Sequence, residues 1–463
     1  MEPNNNNNNN NTEVAPAPTA QVGQSAAAGD AADVKRANLA KQQSAEQAAP
    51  AAAAAGTASA ANPDTPTQVN GTDKEESGNS KTLNSSSSSS SSSNADRQCN
   101  LTLVLHGTQR MELEQRPLPA RPGPNEVQLA THTVGICGSD VKYWQHGKIG
   151  NFVVRKPMIL GHETSAIVIE VGDNVSSLRV GDKVAVEVGL PCSSCALCRR
   201  GKYNLCHQMA FAATPPHDGT LTRYFNHPAD FCFKLPEGVS LEDGALLEPL
   251  AVAVHACQRA PIKLNDVVLV CGAGAVGVLS MLSARAFGAS HVIMTDVLES
   301  RLEFARQLGA SKTFAVNAST GPAELAAQVR DYVAKARPSG APGVDVVLEC
   351  SGAEPSLHLA IQAAAVGAQI VCIGCQADTV TVPLNCAVMQ EIDIKGVFRY
   401  RNCYPLALSL VETGKINLRP LVTHRFKLEQ AVDAFEACSK GQGVKIMIKC
   451  TDDKLQMDRP RAD

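Results

Sequence analysis

Four cysteines crowd into fifteen positions of the chain, in the pattern Cys192-x-x-Cys195-x-x-Cys198 followed by Cys206. Four thiolates at that spacing on a turn-rich loop suit a closed tetrahedral zinc site, with no position left for a substrate. The expected role is therefore structural. No basic helix accompanies the cluster, so it does not read as a nucleic-acid-binding finger. A second set is sparser: Cys137, the adjacent His162 and Glu163, and Glu248. Mixed thiolate, imidazole and carboxylate ligands with one position open to water describe a zinc that does chemistry. Spacing alone carries this second set less far, because single Cys and His residues commonly have structural roles.

A third constellation is Gly272-Ala273-Gly274-Ala275-Val276-Gly277, which fits G-x-G-x-x-G. It follows the apolar, valine-rich run Val267–Val270 and opens a helical stretch, the context in which the pattern cradles a dinucleotide. Glycines at 272, 274 and 277 allow a tight turn, and backbone N–H groups then approach a pyrophosphate at a helix N-terminus. Asp296 ends the next strand, nineteen positions after Gly277. A carboxylate there accepts hydrogen bonds from ribose hydroxyls and repels a 2′-phosphate, which favours NAD over NADP. Asp296 also fits a plain helix N-cap. Arg301 could lie along the adenosine or be a solvated helix residue, and its charge keeps NADP open.

The elements that must hold these groups change texture twice. From Leu101 to about Leu247, short alternating runs such as 101–105, 166–169 and 183–186, punctuated by Gly, Pro, Asp and Asn, predict a twisted, barrel-like β structure. From about Val252 to Asn385, strands at 267–270, 291–294, 344–348 and 369–373 alternate with helical patterns. That alternation predicts a parallel sheet with crossover helices. Short strands return after Asp393, followed by a helix through 428–439. The first ninety-odd residues differ, with an asparagine run at 4–11 and a serine run at 85–93, and are expected to be disordered.

Composition excludes several classes. Lys and Arg number 42 against 45 Asp and Glu, a net charge of −3 that offers no field for gripping a phosphate backbone. Aromatics are 4%, too few for a base-stacking platform, while 44% hydrophobic residues supply a sizeable core. No run of about 18 apolar residues occurs, so no membrane span is expected. The length of 463 residues predicts two to four units at roughly 100–200 residues each. The chain start is acidic and has no apolar export core, so the sixteen cysteines are expected to be reduced in a cytoplasmic protein.

Taken together, these segments resemble the zinc-dependent medium-chain dehydrogenases, most closely their polyol branch acting on sorbitol, xylitol and L-arabinitol. The resemblance runs from about Cys99 to Cys450 and rests on 134–140 followed by Tyr143-Trp144, on Leu160-Gly161-His162-Glu163, on 213–216, on Glu248-Pro249, on 396–400 and on 420–426. It implies an α/β chain in which a GroES-like β-barrel catalytic domain is interrupted by a Rossmann-type NAD-binding domain. The implied divisions are a tail at 1–98, catalytic segments at 99–250 and 389–455, the NAD-binding domain at 251–388 and a C-terminal tail at 456–463.

The resemblance also implies residue roles. Cys137, His162 and a glutamate hold the catalytic zinc, with Glu163 favoured as direct ligand and Glu248 acting directly or through bound water. Tyr143, Phe211, Glu248, Arg399 and Tyr400 shape a polyol site. Val276, Asp296, Arg301, Ile373 and Gly374, then Val397, Phe398 and Arg399, surround the cofactor. Ser139 is either a proton relay or a turn residue beside a ligand, and Arg399-Tyr400 either binds substrate or is a surface pair. Two departures stand out: Ala166 replaces a glycine usual in the family, and the four-cysteine loop is one that some animal members have lost. The implied activity is oxidation of a secondary hydroxyl to a ketone with NAD as hydride acceptor, in a homo-oligomer with the tetramer favoured. An L-threonine or butanediol dehydrogenase of the same superfamily, and a non-catalytic NAD-binding protein, are the rival expectations.

Overall fold

A computed structural model describes residues 99–374 and 377–451. The expectations for the tails at 1–98 and 456–463 lie outside the described residues. Strands β1 (Asn100–Gly107), β2 (Arg110–Arg116) and β6 (Met158–Ile159) form a small antiparallel sheet. A larger sheet runs β12-β8-β7-β3-β20-β19, with β11 also paired to β3. Its members are β3 (Glu126–Gly135), β7 (Glu163–Val171), β8 (Lys183–Val186), β11 (Tyr224–Pro228), β12 (Cys232–Lys234), β19 (Val422–Lys427) and β20 (Lys445–Lys449). Two short ribbons complete the β structure: β4 (Lys148–Ile149) with β5 (Phe152–Val153), and β9 (Gly189–Leu190) with β10 (Ala210–Phe211).

The second architecture is a six-stranded parallel sheet of order β15-β14-β13-β16-β17-β18. Its strands are β13 (Val267–Cys271), β14 (His291–Asp296), β15 (Lys312–Ala315), β16 (Val344–Glu349), β17 (Ala364–Cys372) and β18 (Asp393–Gly396). Helices Ala275–Ala286, Glu299–Gln307, Pro322–Ala336 and Glu354–Ala363 link successive strands. Covered on both faces, β13 is an unbroken apolar run, every residue of which is buried. The order reverses between β13 and β16, which opens a crevice at the strands' C-terminal ends. This is the dinucleotide-binding topology inserted into a β domain.

The structure departs from expectation at two edges. The parallel sheet continues through Asp393–Gly396, so β18 falls beyond the division expected at 388. Four residues with two exposed side chains give little periodic signal, and their place is set by pairing to β17. The helix expected through 428–439 is a 3-10 turn at Leu428–Gln430 leading into a helix at Ala431–Ser439. One apolar core runs through both architectures, joining Val127, Val184 and Met447 of the β sheet to Val268 and Leu348 of the parallel sheet. The helix Leu247–Arg259 contributes Leu247, Leu250 and Val254 to it. Among the described residues, no helix is long and apolar enough to cross a membrane.

Candidate active site and metal centres

The turn after β3 carries Cys137 and leads into the helix Gly138–His146. Asp140 in that helix is buried, and it ties two turns together. One carboxylate oxygen accepts the Cys137 N–H at 3.1 Å, and the other accepts the Gly161 N–H at 3.1 Å. This draws His162 and Glu163, at the start of β7, against Cys137. Ligand atoms of Cys137, His162 and Glu163 all lie within 4.8 Å of one another. Asp140 Oδ1 is also 3.3 Å from His162 Nδ1, in ion-pair range though not aligned for a hydrogen bond. Burial opposes protonation of this imidazole, but Asp140 and Cys137 outweigh it and raise its pKa well above the ordinary value. A carboxylate behind a ligating histidine fixes ring orientation in metal sites, and this donor set suits zinc.

Glu163 is held from an unforeseen direction. Lys445 of β20 is buried and places Nζ 2.7 Å from both Glu163 carboxylate oxygens, and it also donates to Ile136 O at 3.3 Å. The attraction of Glu163 overcomes the burial that would otherwise lower the lysine pKa. Gly135 faces Glu163 across the β3–β7 ladder, and a Cβ there would land on Glu163 Oε2. Neither Asp140 nor Lys445 is assigned a role by sequence. Lys445 opens a strand that also closes on a lysine, so its own neighbourhood does not single it out.

Glu248 sits in the first turn of Leu247–Arg259, buried, and outside the compact trio. Burial pushes its carboxyl up to about 7, while His162 pulls it down and Glu163 pushes it up. A group so placed can take or give a proton near neutral pH. Ser139 is half-buried in the first turn after Cys137.

Beside this centre the chain assembles an aromatic and cationic wall. Phe211 of β10 has its ring 5.9 Å from His162 and 6.4 Å from Tyr400. The Arg399 guanidinium lies 3.6 Å from the Phe211 ring centroid and donates to Thr214 Oγ1 at 2.9 Å. Burial lowers the Arg399 pKa to about 10, leaving it cationic at neutral pH. Tyr143 is buried, which raises its phenol pKa. The Tyr400 hydroxyl is buried and has no hydrogen-bond partner among the described residues, although Glu248 acts on it electrostatically. Tyr400 is thus buried and Arg399 half-buried against Phe211.

The four thiols form a separate group. Cys192, Cys195, Cys198 and Cys206 all lie within 4.8 Å of one another, with sulfur pairs at 3.4 and 4.0 Å and no disulfide. Ligands about 2.3 Å from a tetrahedral zinc stand about 3.8 Å apart, so the donors fit one ion. Hydrogen bonds from the Ser194 backbone and hydroxyl and from the Cys195 backbone lower the Cys192 thiol to about 6.

The expected cofactor residues line the C-terminal ends of the parallel strands. Gly272 turns at φ 95°, and Gly274 caps the helix carrying Val276 and Gly277. A Cβ at Gly277 would strike Gly272 O, so the turn and helix meet only through glycine. Asp296 accepts the Ala273 N–H at 2.7 Å and the Leu298 N–H at 2.9 Å, and Arg301 Nη1 is 3.9 Å away. Asp296 thus braces the glycine turn. Ile373 and Gly374 follow β17, both donating N–H to Glu349 O, and Val397 to Arg399 follow β18.

Comparison with known proteins accords with this arrangement. Residues 123–237 match the family model of the alcohol dehydrogenase GroES-like domain, and residues 275–413 match that of the zinc-binding dehydrogenases. Sorbitol dehydrogenase of Bos taurus is 48% identical over 351 residues, covering 76% of this chain and 96% of that protein. The Homo sapiens sorbitol dehydrogenase has the same identity and coverage. Among solved structures, 2R,3R-butanediol dehydrogenase from Bacillus subtilis aligns with a TM-score of 0.68 at 28% identity, over 76% of this chain and 100% of that one. With the barrel, the inserted dinucleotide-binding sheet and nearly the whole length of these relatives represented, the chain belongs to the zinc-dependent medium-chain dehydrogenase family.

Proposed function

We propose that this protein oxidises a secondary hydroxyl of a sugar alcohol such as sorbitol, xylitol or L-arabinitol to the corresponding ketose, with NAD as hydride acceptor. The observation that carries the proposal is the Arg399–Tyr400 pair. A half-buried cation and a buried phenol without a hydrogen-bond partner among the described residues stand beside a Cys–His–Glu centre, which suits a ligand rich in hydroxyls. Close relatives named for sorbitol support the same substrate class.

Cys137, His162 and Glu163 would hold a catalytic zinc, and the four-cysteine loop a structural one. The glycine turn with Asp296 would hold NAD. When bound, zinc supplies Lewis-acid polarisation of a hydroxyl and the nicotinamide supplies a hydride acceptor. The chain's own residues do the rest. Glu248, poised near neutrality, takes the hydroxyl proton, with Ser139 as a second relay. Arg399, Tyr400 and Tyr143 bind the remaining hydroxyls, and leaving such groups unpaired rejects substrates that lack a hydroxyl. Phe211 covers His162 and Arg399 and keeps water from the centre. The balanced reaction removes one hydride and one proton from the carbinol and leaves a carbonyl.

We further propose association through the free edge of β18 and the end of the preceding helix Leu384–Met389, where Ile394, Val388 and Met389 are exposed at 44%, 63% and 78%. An unpaired strand edge with exposed apolar side chains favours pairing with a second copy, and a tetramer is the expected assembly. A reducing, cytoplasmic setting is part of the same proposal, since the four clustered thiols must stay reduced to hold a metal. NADH formation with sorbitol, xylitol, L-arabinitol, L-threonine and 2,3-butanediol tests the substrate class. Turnover of the polyols bears the proposal out, and turnover of threonine or butanediol alone overturns it.

A further inference from the structure

We infer that the Tyr203–Leu205 turn of the four-cysteine loop positions the substrate-facing segment 398–402, so that the thiol cluster governs where Arg399 and Tyr400 sit. The inference rests on the polyol-binding role proposed for that pair. Asn204 Nδ2 donates to Phe398 O at 2.9 Å, immediately before the pair. The Asn402 N–H donates to the Tyr203 hydroxyl at 2.7 Å, two residues after Tyr400. Tyr203 in turn donates to Glu187 Oε1 at 2.6 Å, and Arg401 Nη1 reaches Gly201 O at 3.4 Å. The pair is thus gripped on both flanks by a single turn.

Two features make the grip consequential. Arg399 and Asn402 have φ of 55° and 51°, a left-handed conformation that side-chain-bearing residues keep only when their surroundings impose it. The contacts from Tyr203 and Asn204 supply that constraint. The turn itself has little apolar anchorage: it lies between Cys198 and Cys206, tied by Gly201 N–H to Cys198 O at 2.8 Å and by Cys206 N–H to Tyr203 O at 2.9 Å. Its shape therefore follows the four sulfurs, whose union around one ion would hold both ends. Tyr203 and Asn204 touch neither the trio nor the glycine turn, so they act through the segment as positioning residues.

The test compares the full-length wild type with Tyr203→Phe and Asn204→Leu, after metal analysis shows equal zinc in all three. Each variant removes one anchor: Tyr203→Phe frees the Asn402 N–H, and Asn204→Leu removes the side-chain donor to Phe398 O. Amide hydrogen exchange over 398–402 should accelerate about tenfold, with β13 unchanged. KM for the accepted polyol should rise about tenfold while kcat stays within about twofold. Unchanged exchange in both variants overturns the tether. Accelerated exchange with an unchanged KM overturns its part in substrate positioning. A wild type inert towards every polyol overturns the proposed function alone, since accelerated exchange still supports the tether.

Discussion

Lys445 and Glu163 form a fully buried ion pair across 282 positions of sequence, with Nζ 2.7 Å from both carboxylate oxygens. The carboxylate that belongs to the Cys–His–Glu centre is therefore also the counter-ion of the last strand of the β sheet. Closing the chain at β20 and completing the metal centre are one structural event.

Removing one member of a buried pair leaves an uncompensated charge, which costs about 3–5 kcal/mol. Lys445→Met should lower unfolding stability by that order in denaturant titration. Lys445→Arg, which keeps the charge in a larger side chain, should lose less. Equal stability of Lys445→Met and wild type would show that the pair does not hold β20 in place.

Gly135→Ala adds a methyl where Glu163 Oε2 lies. The carboxylate must move away from Cys137 and His162, whereas the four-thiol group is untouched. Metal analysis should find the zinc content falling from two ions per chain towards one. Retention of both ions would show that the trio does not depend on this gap.

Glu248→Gln keeps the shape of the side chain and removes its titration. General acid–base assistance contributes about 10²–10⁴-fold, so turnover should fall by at least the lower figure while NADH binding, read by fluorescence, is retained. Loss of NADH binding together with turnover would point to a structural role for the residue.

Stability should fall on the acid side because of His227. Burial depresses this ring to about 4 while its nitrogen bonds Glu187 O at 3.0 Å. The unfolded chain protonates near 6.5, so between about 6.5 and 4 it binds the proton that the folded chain refuses, and stability is lost as pH falls. From pH 7 to 5 the loss from this group is about 2 kcal/mol. Chemical denaturation of His227→Gln at the two pH values should show that much less pH dependence.

The elements with regular periodicity were legible from sequence. The run Val267–Cys271 and its glycine turn read as strand, turn and helix because a doubly covered strand is apolar throughout. The cysteine cluster was legible from spacing, and His162-Glu163 from adjacency. Asp140, Lys445, Tyr203 and Asn204 were not, since each acts on a partner supplied by another element and nothing in its own neighbourhood marks it. Strand β18 escaped for the same reason: four residues become a strand through pairing with β17. The placement of Arg399 and Tyr400 likewise depends on Phe211 and Thr214, which are distant in sequence.

The central claim is hydride transfer from a polyol carbinol to NAD, and isotope transfer tests it most directly. Sorbitol, xylitol and L-arabinitol deuterated on their secondary carbons are incubated with zinc-loaded protein and NAD, with and without a chelator, and both products are analysed by mass spectrometry. Deuterium in the nicotinamide ring, an equimolar ketose and loss of both on chelation are the predicted result. Unlabelled nicotinamide with no ketose from any of the three, in protein shown to carry zinc and bind NADH, would contradict the account.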